Sequence, residues 1–567
     1  MQKICKNCSQ NFEITNEDLK FYEKVSPEFN EKKYLIPAPQ FCSECREQRR
    51  LAMRNQMKLY KRKCDFSGEE IVSLYSTDKF YKVYAEKYLW SDKFDPMKYG
   101  CDYDFSKTFF QQFYELQKYV PRGAMQQDGT NENCEYTTFG GNNKNCYLTY
   151  ACSYNEDLCH STFVITTKNS CDCLVVIGSE FCYECVDCSK CYNCKFCKDC
   201  NECLDSYFLD DCKGCVNCIC CKNLRNKSFY IYNKKVSKEE FEEFKKYLDK
   251  GNLLKEKKKF NQWKLQFPCV CIHITNSEDS NGDYLEHAKN CHQCFDIVLS
   301  AEDCKYCQYS GWNGKDMMDV SMCGKNSELV YEMQATVESY NCAFTFFCRD
   351  DQNSYYCDNI NHCKHCFGCI NLRHKEYCIL NKQYTKEEYE ILVPKIINKM
   401  KEDLEFGELF PIRLSPFAYN ETLAQEYFPL TKEEVLEKGY QWKDEIIEVL
   451  KVEKIIPANS LPNSILEIPR PEDVGQADDI LNWAIECEIT KKPFKIIKPE
   501  LEFYRKMNLP IPRRHPDQRH KDRMALRNPR KLWKRNCMKC NSEIQTTYSP
   551  DRKEIIYCED CYLQEVY

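Results

Sequence analysis

Glycine is scarce, at 17 in 567 residues. That leaves little room for the glycine-rich loops that cradle phosphates. Histidine is scarcer still, at nine. The chain has no His-Glu-x2-His, no G-x4-G-K-[ST], no G-x-S-x-G and no G-x-G-x2-G. Sequence signatures of zinc proteases, nucleotide hydrolases, serine hydrolases and dinucleotide enzymes are therefore missing. No apolar run approaches the length of a membrane-spanning helix. The opening Met1-Gln2-Lys3-Ile4-Cys5 lacks the apolar core of a secretory signal. The expected location is the cytoplasm, where thiols stay reduced. With a net charge of -6, nothing global points to a polyanionic partner, so any basic surface must be local.

What the chain has is cysteine, 44 residues of it. In a reducing compartment these are metal ligands or small buried hydrophobes rather than disulfides. Eight of them form two tetrads of paired knuckles. Cys5-x2-Cys8 is followed by Cys42-x2-Cys45, and Cys537-x2-Cys540 by Cys558-x2-Cys561. Four thiolates suit tetrahedral zinc and leave no open position for chemistry, so two structural zinc ions per chain are expected.

The ends of the chain are related. With an offset of 473, Arg46 falls on Arg519, Arg54 on Arg527, Lys61-Arg62 on Lys534-Arg535 and Cys64 on Cys537. Each end thus reads as one module of two metal ribbons around a basic helix, and each copy has lost a different ribbon. Cys64 stands with Ser67, Ala85 and Tyr88 at ligand places; Cys487 and His515 stand with Thr490 and Gln518. A lone pair of ligands holds zinc poorly, so these two sites are expected to be empty. The basic residues survive in both copies. Arg46, Arg50 and Arg54, with Arg519, Arg523 and Arg527, are the candidate phosphate contacts. A solvated helix face and packing of arginine stems are the alternatives.

The centre is also written twice. With an offset of 148, Cys146 falls on Cys294, Cys159 on Cys307, Cys194 on Cys342, Cys200 on Cys348 and Cys215 on Cys363, without a gap. From Cys182 to Cys221 cysteine recurs every third residue, apart from Ser206 and Leu209. A ferredoxin-type cluster would need a different spacing and a Cys-Pro dipeptide, which the chain lacks. A metal store suits the first copy. The second copy has Val330, Met333, Thr336 and Ser339 where the first has Cys182, Cys185, Cys188 and Cys191, which points to burial. A parallel β-solenoid with cysteines in interior ladders accounts for both copies. The capped helices after Ser237 and Thr385 would be its lids.

The expected fold is therefore mainly β: a duplicated, cysteine-rich, solenoid-like centre flanked by small α+β zinc-ribbon modules. The expected domains are 1–63 (zinc ribbon and basic helix), 64–130 (degenerate ribbon and aromatic-rich connector), 131–250 and 251–400 (the two repeat copies), 401–480 (proline-containing linker with short helices) and 481–567 (degenerate ribbon, basic helix and intact ribbon). Phe109, Phe113 and Leu116 share a helical face and read as core.

The stretch from Cys5 to Arg50 resembles the zinc-ribbon domain family of bacterial proteins. The whole chain resembles the cysteine-rich, doubly zinc-ribboned proteins of candidate-phyla bacteria. The phrases that carry this are Trp90-Ser91-Asp92-Lys93-Phe94-Asp95-Pro96, Pro429-Leu430-Thr431-Lys432-Glu433-Glu434 and Arg527-Asn528-Pro529-Arg530-Lys531-Leu532. The resemblance implies architecture and no activity. The function expected is that of a non-catalytic zinc protein. It would bind RNA, DNA or a ribonucleoprotein such as the ribosome through basic helices beside terminal ribbons, with Arg505 to Arg535 the most basic stretch. The alternative is a protein-interaction scaffold on the solenoid; a metal store or redox protein ranks below both. No small-molecule substrate and no membrane partner are expected.

Overall fold

The computed structural model describes residues 1–127, 129–322, 324–444, 450–469 and 479–567. Strand outweighs helix, 31% against 25%, and the central sheets are parallel and curled.

A three-residue period builds these sheets. In Cys182-Tyr183-Glu184 the first side chain points inward, the second joins the ladder and the third sits in the left-handed region, φ 47°. The next triplets repeat this, with left-handed φ at Asp187, Lys190 and Asn193. A left-handed residue every third position turns the chain a corner after each short side. Asn and Asp tolerate that conformation best, which explains their abundance between the cysteines. The ladder bonds are regular: Tyr183 N–H donates to Cys194 O at 3.0 Å, and Glu184 N–H to Cys171 O at 3.3 Å.

The inward residue's own N–H also points inward, at the side chain twelve residues earlier. Cys182 N–H donates to Ser170 Oγ (2.9 Å), Cys191 N–H to Ser179 Oγ (3.0 Å), Cys146 N–H to Cys134 Sγ (3.2 Å) and Cys369 N–H to Cys357 Sγ (3.4 Å). A buried amide left alone costs about 1–3 kcal/mol, so the interior favours small side chains that accept. The same thiols donate outward to carbonyls: Cys185 Sγ to Tyr183 O (3.7 Å) and Cys194 O (3.5 Å). Cysteine and serine do both jobs in a narrow space.

In the first copy each rung pairs in parallel with the rung twelve residues on, as in Thr162↔Leu174↔Val186 and Tyr207↔Ile219↔Ile231. The second copy begins differently. Ile274 pairs with Leu285, Cys291 with Cys304, Cys304 with Met317 and Met317 with Val330; only from Val330↔Cys342 does the twelve-residue step settle. This corrects the gapless repeat. After rungs that vary from eleven to thirteen residues, Cys307 stands in the interior, whereas Cys159 stands in the ladder position and packs on the outer core. Cys159 with Cys307 is therefore a match of spacing, not of place, whereas Cys146 and Cys294 are both interior. From Cys182 and Val330 onward the offset is structural. Both copies end in the same antiparallel hairpin, Tyr230↔Lys235 and Cys378↔Gln383.

The chain forms two compact units, neither continuous in sequence. One comprises 1–125, 272–443 and 530–532; the other comprises 126–271, 444–529 and 533–567. The N-terminal modules thus belong with the second repeat copy and the C-terminal modules with the first. The sequential domain plan did not foresee this exchange.

In the first unit, helices Asn16–Val25, Phe109–Tyr119 and Lys386–Glu402 cover the outer face of the sheet. Tyr22, Phe109, Phe113, Leu116, Tyr389 and Ile396 join Tyr331, Phe344 and Tyr356 in one core. In the second unit, Phe241, Phe260, Leu501 and Tyr504 cover Tyr183, Phe208 and Ile219 in the same way. Capping boxes open the helices at Ser237, Thr385 and Thr431, as their sequences indicate.

The linker expected at 401–480 is only partly one. Leu423 N–H donates to Arg54 O at 3.0 Å and Ser415 Oγ to Ala52 O at 2.7 Å, so this part folds back on the N-terminal module. Lys454–Pro457 is a strand, paired with Trp483–Glu486. Of the stretch from Ile455 to Gln476, residues 470–476 lie outside the described residues. Among the described residues, no helix is long and apolar enough to cross a membrane.

Candidate metal centres and arginine clasps

The two cysteine-knuckle modules at each end share one geometry. A hairpin supplies the first knuckle, Gln2–Ile4 with Asn11–Glu13 at one end and Trp533–Asn536 with Glu543–Thr546 at the other. The turn closes with Ser9 N–H on Cys5 O (2.9 Å) and Asn541 N–H on Cys537 O (2.9 Å), each donor residue left-handed. The second knuckle is the first turn of a helix. Cys42 caps Ser43–Leu51 and Cys558 caps Glu559–Val566. The first knuckle therefore lies on a hairpin and the second at a helix start. The basic helix at the N-terminus and the second knuckle are thus one element.

The eight cysteines named from sequence come together in two groups, Cys5/Cys8/Cys42/Cys45 and Cys537/Cys540/Cys558/Cys561. Within each group all four sulfurs lie within 4.8 Å of one another. Cys8 Sγ is 3.7 Å from Cys42 Sγ, and Cys540 Sγ is 3.7 Å from Cys558 Sγ. Backbone amides prepare both: Cys42 N–H donates to Cys5 Sγ at 3.3 Å and Cys558 N–H to Cys537 Sγ at 3.2 Å. Burial pushes the Cys537 thiol up, but the N–H groups of Cys540, Cys558 and Lys539 outweigh it and hold it at about 6. Such a thiol is a ready metal ligand at neutral pH. Four sulfurs and no carboxylate suit a soft or borderline tetrahedral ion.

The two decayed modules keep the geometry without the ligands. Gly68 N–H closes on Cys64 O (2.8 Å) and Lys491 N–H on Cys487 O (3.1 Å). Ala85 caps Glu86–Leu89 and its N–H donates to Cys64 Sγ at 3.3 Å; His515 caps Pro516–Met524. Thr490 N–H donates to Cys487 Sγ at 3.4 Å. In these modules, hydrogen bonds to a single sulfur stand where a metal would. Among the described residues, only the two tetracysteine groups bring three or more potential ligands together.

The arginines lie elsewhere than expected. Arg46, Arg50, Arg54, Arg519 and Arg523 are all buried, and Arg50 is wholly inaccessible. Arg46 and Arg50 grip the two oxygens of Asp319 at 2.9 and 3.1 Å. Arg49 bridges Glu332 (3.2 Å) and Glu408 (2.8 Å). Arg519 and Arg523 grip the two oxygens of Asp172, the latter at 2.5 Å. Arg519 also reaches Glu500 at 3.2 Å, and Arg527 holds Asp187 at 2.9 Å. Asp172 and Asp319 occupy the same left-handed corner in their respective copies, φ 56° and 57°. The aromatic contacts match as well: Tyr22 meets Tyr331 at 5.3 Å and Tyr504 meets Tyr183 at 5.9 Å. The arginines named as phosphate contacts are thus enclosed within their units, and those with resolved partners hold carboxylates of the repeat. In both copies the positive charge lies where the module docks on its repeat.

One cavity of about 250 Å³ lies beside the first tetrad, lined by Asp18, Tyr22, Ser43, Arg46, Lys305 and Tyr306 among others. Its two cations are already paired, Arg46 with Asp319 and Lys305 with Asp18 at 2.7 Å.

No family model matches the chain, and no curated protein does. Among solved structures, a protein from Desulfovibrio desulfuricans G20 described as an acetyltransferase aligns at 10% identity. The match covers 42% of this chain and 63% of that one, less than two thirds, with a TM-score of 0.10. A similarity that low carries no argument about fold or activity.

Proposed function

We propose that the chain is a non-catalytic, zinc-stapled interaction scaffold: two parallel β-solenoids, each clasped by a pair of knuckle modules. The twelve-residue parallel register supports the solenoid. Two closed tetrads support zinc in a structural role. Every described cysteine is a free thiol, which agrees with a reducing, cytoplasmic setting.

The observation that carries the proposal is the enclosure of the basic helices. With their arginines held inside, the outward rows of the repeats become the surface offered to a partner. Those rows alternate in charge, Glu156 with Lys168 (3.0 Å) and Lys289 with Glu302 (3.4 Å), so they neutralise themselves and suit a polyanion poorly. Within this row each copy exposes a tyrosine at the same place, Tyr192 (44%) and Tyr340 (45%). Tyr192 pairs in register with Leu204, itself 39% exposed.

The test is a pull-down from lysate with and without nuclease, using wild type and a Tyr192→Glu/Leu204→Glu variant. A stoichiometric protein that resists nuclease and is lost from the variant, with melting unchanged, is the expected result. Capture that nuclease abolishes in both chains would overturn the scaffold in favour of RNA, DNA or a ribonucleoprotein, bound through cations other than the clasp arginines.

A further inference from the structure

The interior of the second unit holds more thiol than its packing requires. Cys182 to Cys203 fill every inward position, and Cys212, Cys215, Cys218 and Cys221 follow. The other unit builds the equivalent rungs with Val330, Met333, Thr336 and Ser339, all fully buried. Branched, thioether and hydroxyl side chains therefore fill the same places, and neither shape nor volume demands cysteine there. The twelve-residue register stacks the rung of Cys185 on that of Cys197 and the rung of Cys188 on that of Cys200, beside the ladder pairs Val186↔Lys198 and Ser189↔Asn201. Each rung carries a further cysteine three residues on, so the buried thiols form one continuous column.

We propose that this column, from Cys182 to Cys221, is a binding site for Cu(I), carried in two-coordinate, thiolate-bridged positions distinct from the tetracysteine centres. Soft thiolate ligands select Cu(I). The column does not suit tetrahedral zinc, because no group of three of its sulfurs lies mutually within 4.8 Å, whereas both tetrads meet that condition. Two neighbouring thiols suffice for a two-coordinate ion, and a thiol with neighbours along the chain and in the next rung can bridge. Each new Cu–S bond replaces an S–H bond, and the proton leaves to solvent. The S–H···O=C contacts, such as Cys188 Sγ to Val186 O at 3.3 Å, are given up in exchange. Copper enters and remains as Cu(I), so no electron is transferred. The site is independent of the scaffold proposal.

The experiment titrates the zinc-loaded full chain anaerobically with Cu(I), supplied as its acetonitrile complex against bicinchoninate. Copper and zinc are counted after desalting, and Cu(I)–thiolate luminescence is followed. Two-coordinate sharing of the column predicts about six Cu(I) per chain with zinc retained. The variant Cys182→Val/Cys185→Met/Cys188→Thr/Cys191→Ser imports the other unit's own residues and should lose about a third of that copper. Should it fold poorly, serine at Cys194, Cys197, Cys200 and Cys203 gives a second reading, since Ser170, Ser179 and Ser206 already occupy inward positions. Copper uptake only in step with zinc release, or equal uptake by a folded variant and the parent, would overturn the proposal.

Discussion

The two units are the same construction executed with different interiors. Each has a curled parallel sheet, a covering of aromatic residues, a clasp of two arginines on one corner aspartate, one intact tetrad and one decayed one. Inside, one unit stacks cysteine on cysteine, while the other mixes valine, methionine, threonine, serine, cysteine and Asp351. What both keep is the inward amide and, at many rungs, a side chain that accepts it. The fold therefore demands small acceptors at intervals, not thiols as such. Cysteine in the first copy exceeds that demand, and serine in the second meets it.

The largest effects should come from the metal modules, where an intact site can be compared with a decayed one in each unit. Cys8→Ser and Cys540→Ser should each release one zinc and loosen their own module. Structural zinc in small domains contributes about 10–16 kcal/mol of binding free energy that is also folding free energy. Cys64→Ser and Cys487→Ser should release none, because among the described residues neither sulfur belongs to a group of three or more potential ligands. Restoring cysteine at Ser67, Ala85 and Tyr88 should add a third zinc. Native mass spectrometry counts the ions, and four per wild-type chain would mean that the decayed modules still bind.

Next in size are the clasps. Asp172→Ala leaves Arg523 leaning on the His160 carbonyl (3.0 Å), while Arg519 keeps Glu500. Breaking one partner out of a buried pair typically costs about 3–5 kcal/mol. Asp319→Ala should cost less, since Glu332 lies 3.6 Å from both Arg46 and Arg50 and can take over part of the charge. Denaturant unfolding, with hydrogen exchange read separately over each unit, should show this asymmetry. Equal and small losses would mean that apolar packing alone docks the modules.

These comparisons also show what could be read from the chain alone. The tetrads were legible because knuckle spacing reports ligand geometry directly. The duplication was legible because inward residues recur. The rung length was not: cysteine every third residue reports the side of a rung, and nothing in that period says how many sides close it. The early second copy misled for the same reason, since rungs of eleven to thirteen residues leave the spacing of cysteines looking familiar. The arginines were found, but their role was not. A basic helix presented to solvent and one clasped on aspartates have the same composition, and only the partners distinguish them. Asp172 and Asp319, at equivalent corners, were the available signal. The exchange of modules between copies leaves no local trace, because it depends on long-range docking.

A smaller effect tests the acceptor rule at one place present in both units. Ser206 Oγ accepts Cys218 N–H at 3.1 Å and donates to Leu204 O at 2.7 Å. Ser354 Oγ accepts Cys366 N–H at 3.3 Å and donates to Gln352 O at 3.0 Å. Alanine at either position should cost about 1–3 kcal/mol by stranding a buried amide. Cysteine should come close to neutral, because Cys134 and Cys357 already play that part elsewhere. If alanine and cysteine prove equivalent, small volume rather than accepting power governs the column.

The smallest effect is a divergence with pH. Where one unit has Cys203, the other has Asp351, fully buried and accepting the N–H groups of Cys363 (2.7 Å) and Arg349 (2.9 Å). Burial holds its carboxyl well above the usual carboxylate range, despite those two donors. In the other unit, burial pushes Glu500 up, but His160 and Arg519 outweigh it and hold it at about 2, and Arg519 with Arg523 also keeps Asp172 low. The signs are opposite. Above about pH 4, where an unfolded aspartate has shed its proton, folded Asp351 still prefers to keep one, so its contribution falls as pH rises and returns on acidification. Glu500 and Asp172 contribute fully above about pH 4.3, and lose that contribution as pH falls toward 2. Acidifying from pH 7 to pH 5 should therefore protect the unit holding Asp351 and leave the other unchanged. Going on from pH 4 to pH 2.5 should weaken the unit holding Glu500 first. Hydrogen exchange resolved over the two units reads both steps, and Asp351→Asn should shrink the first without touching the second. Glu86, pushed up to about 7 by burial in the same unit, shares the first step. If both units respond alike and the asparagine variant follows wild type, Asp351 is hydrated or paired in solution, and the difference between the interiors does not extend to charge.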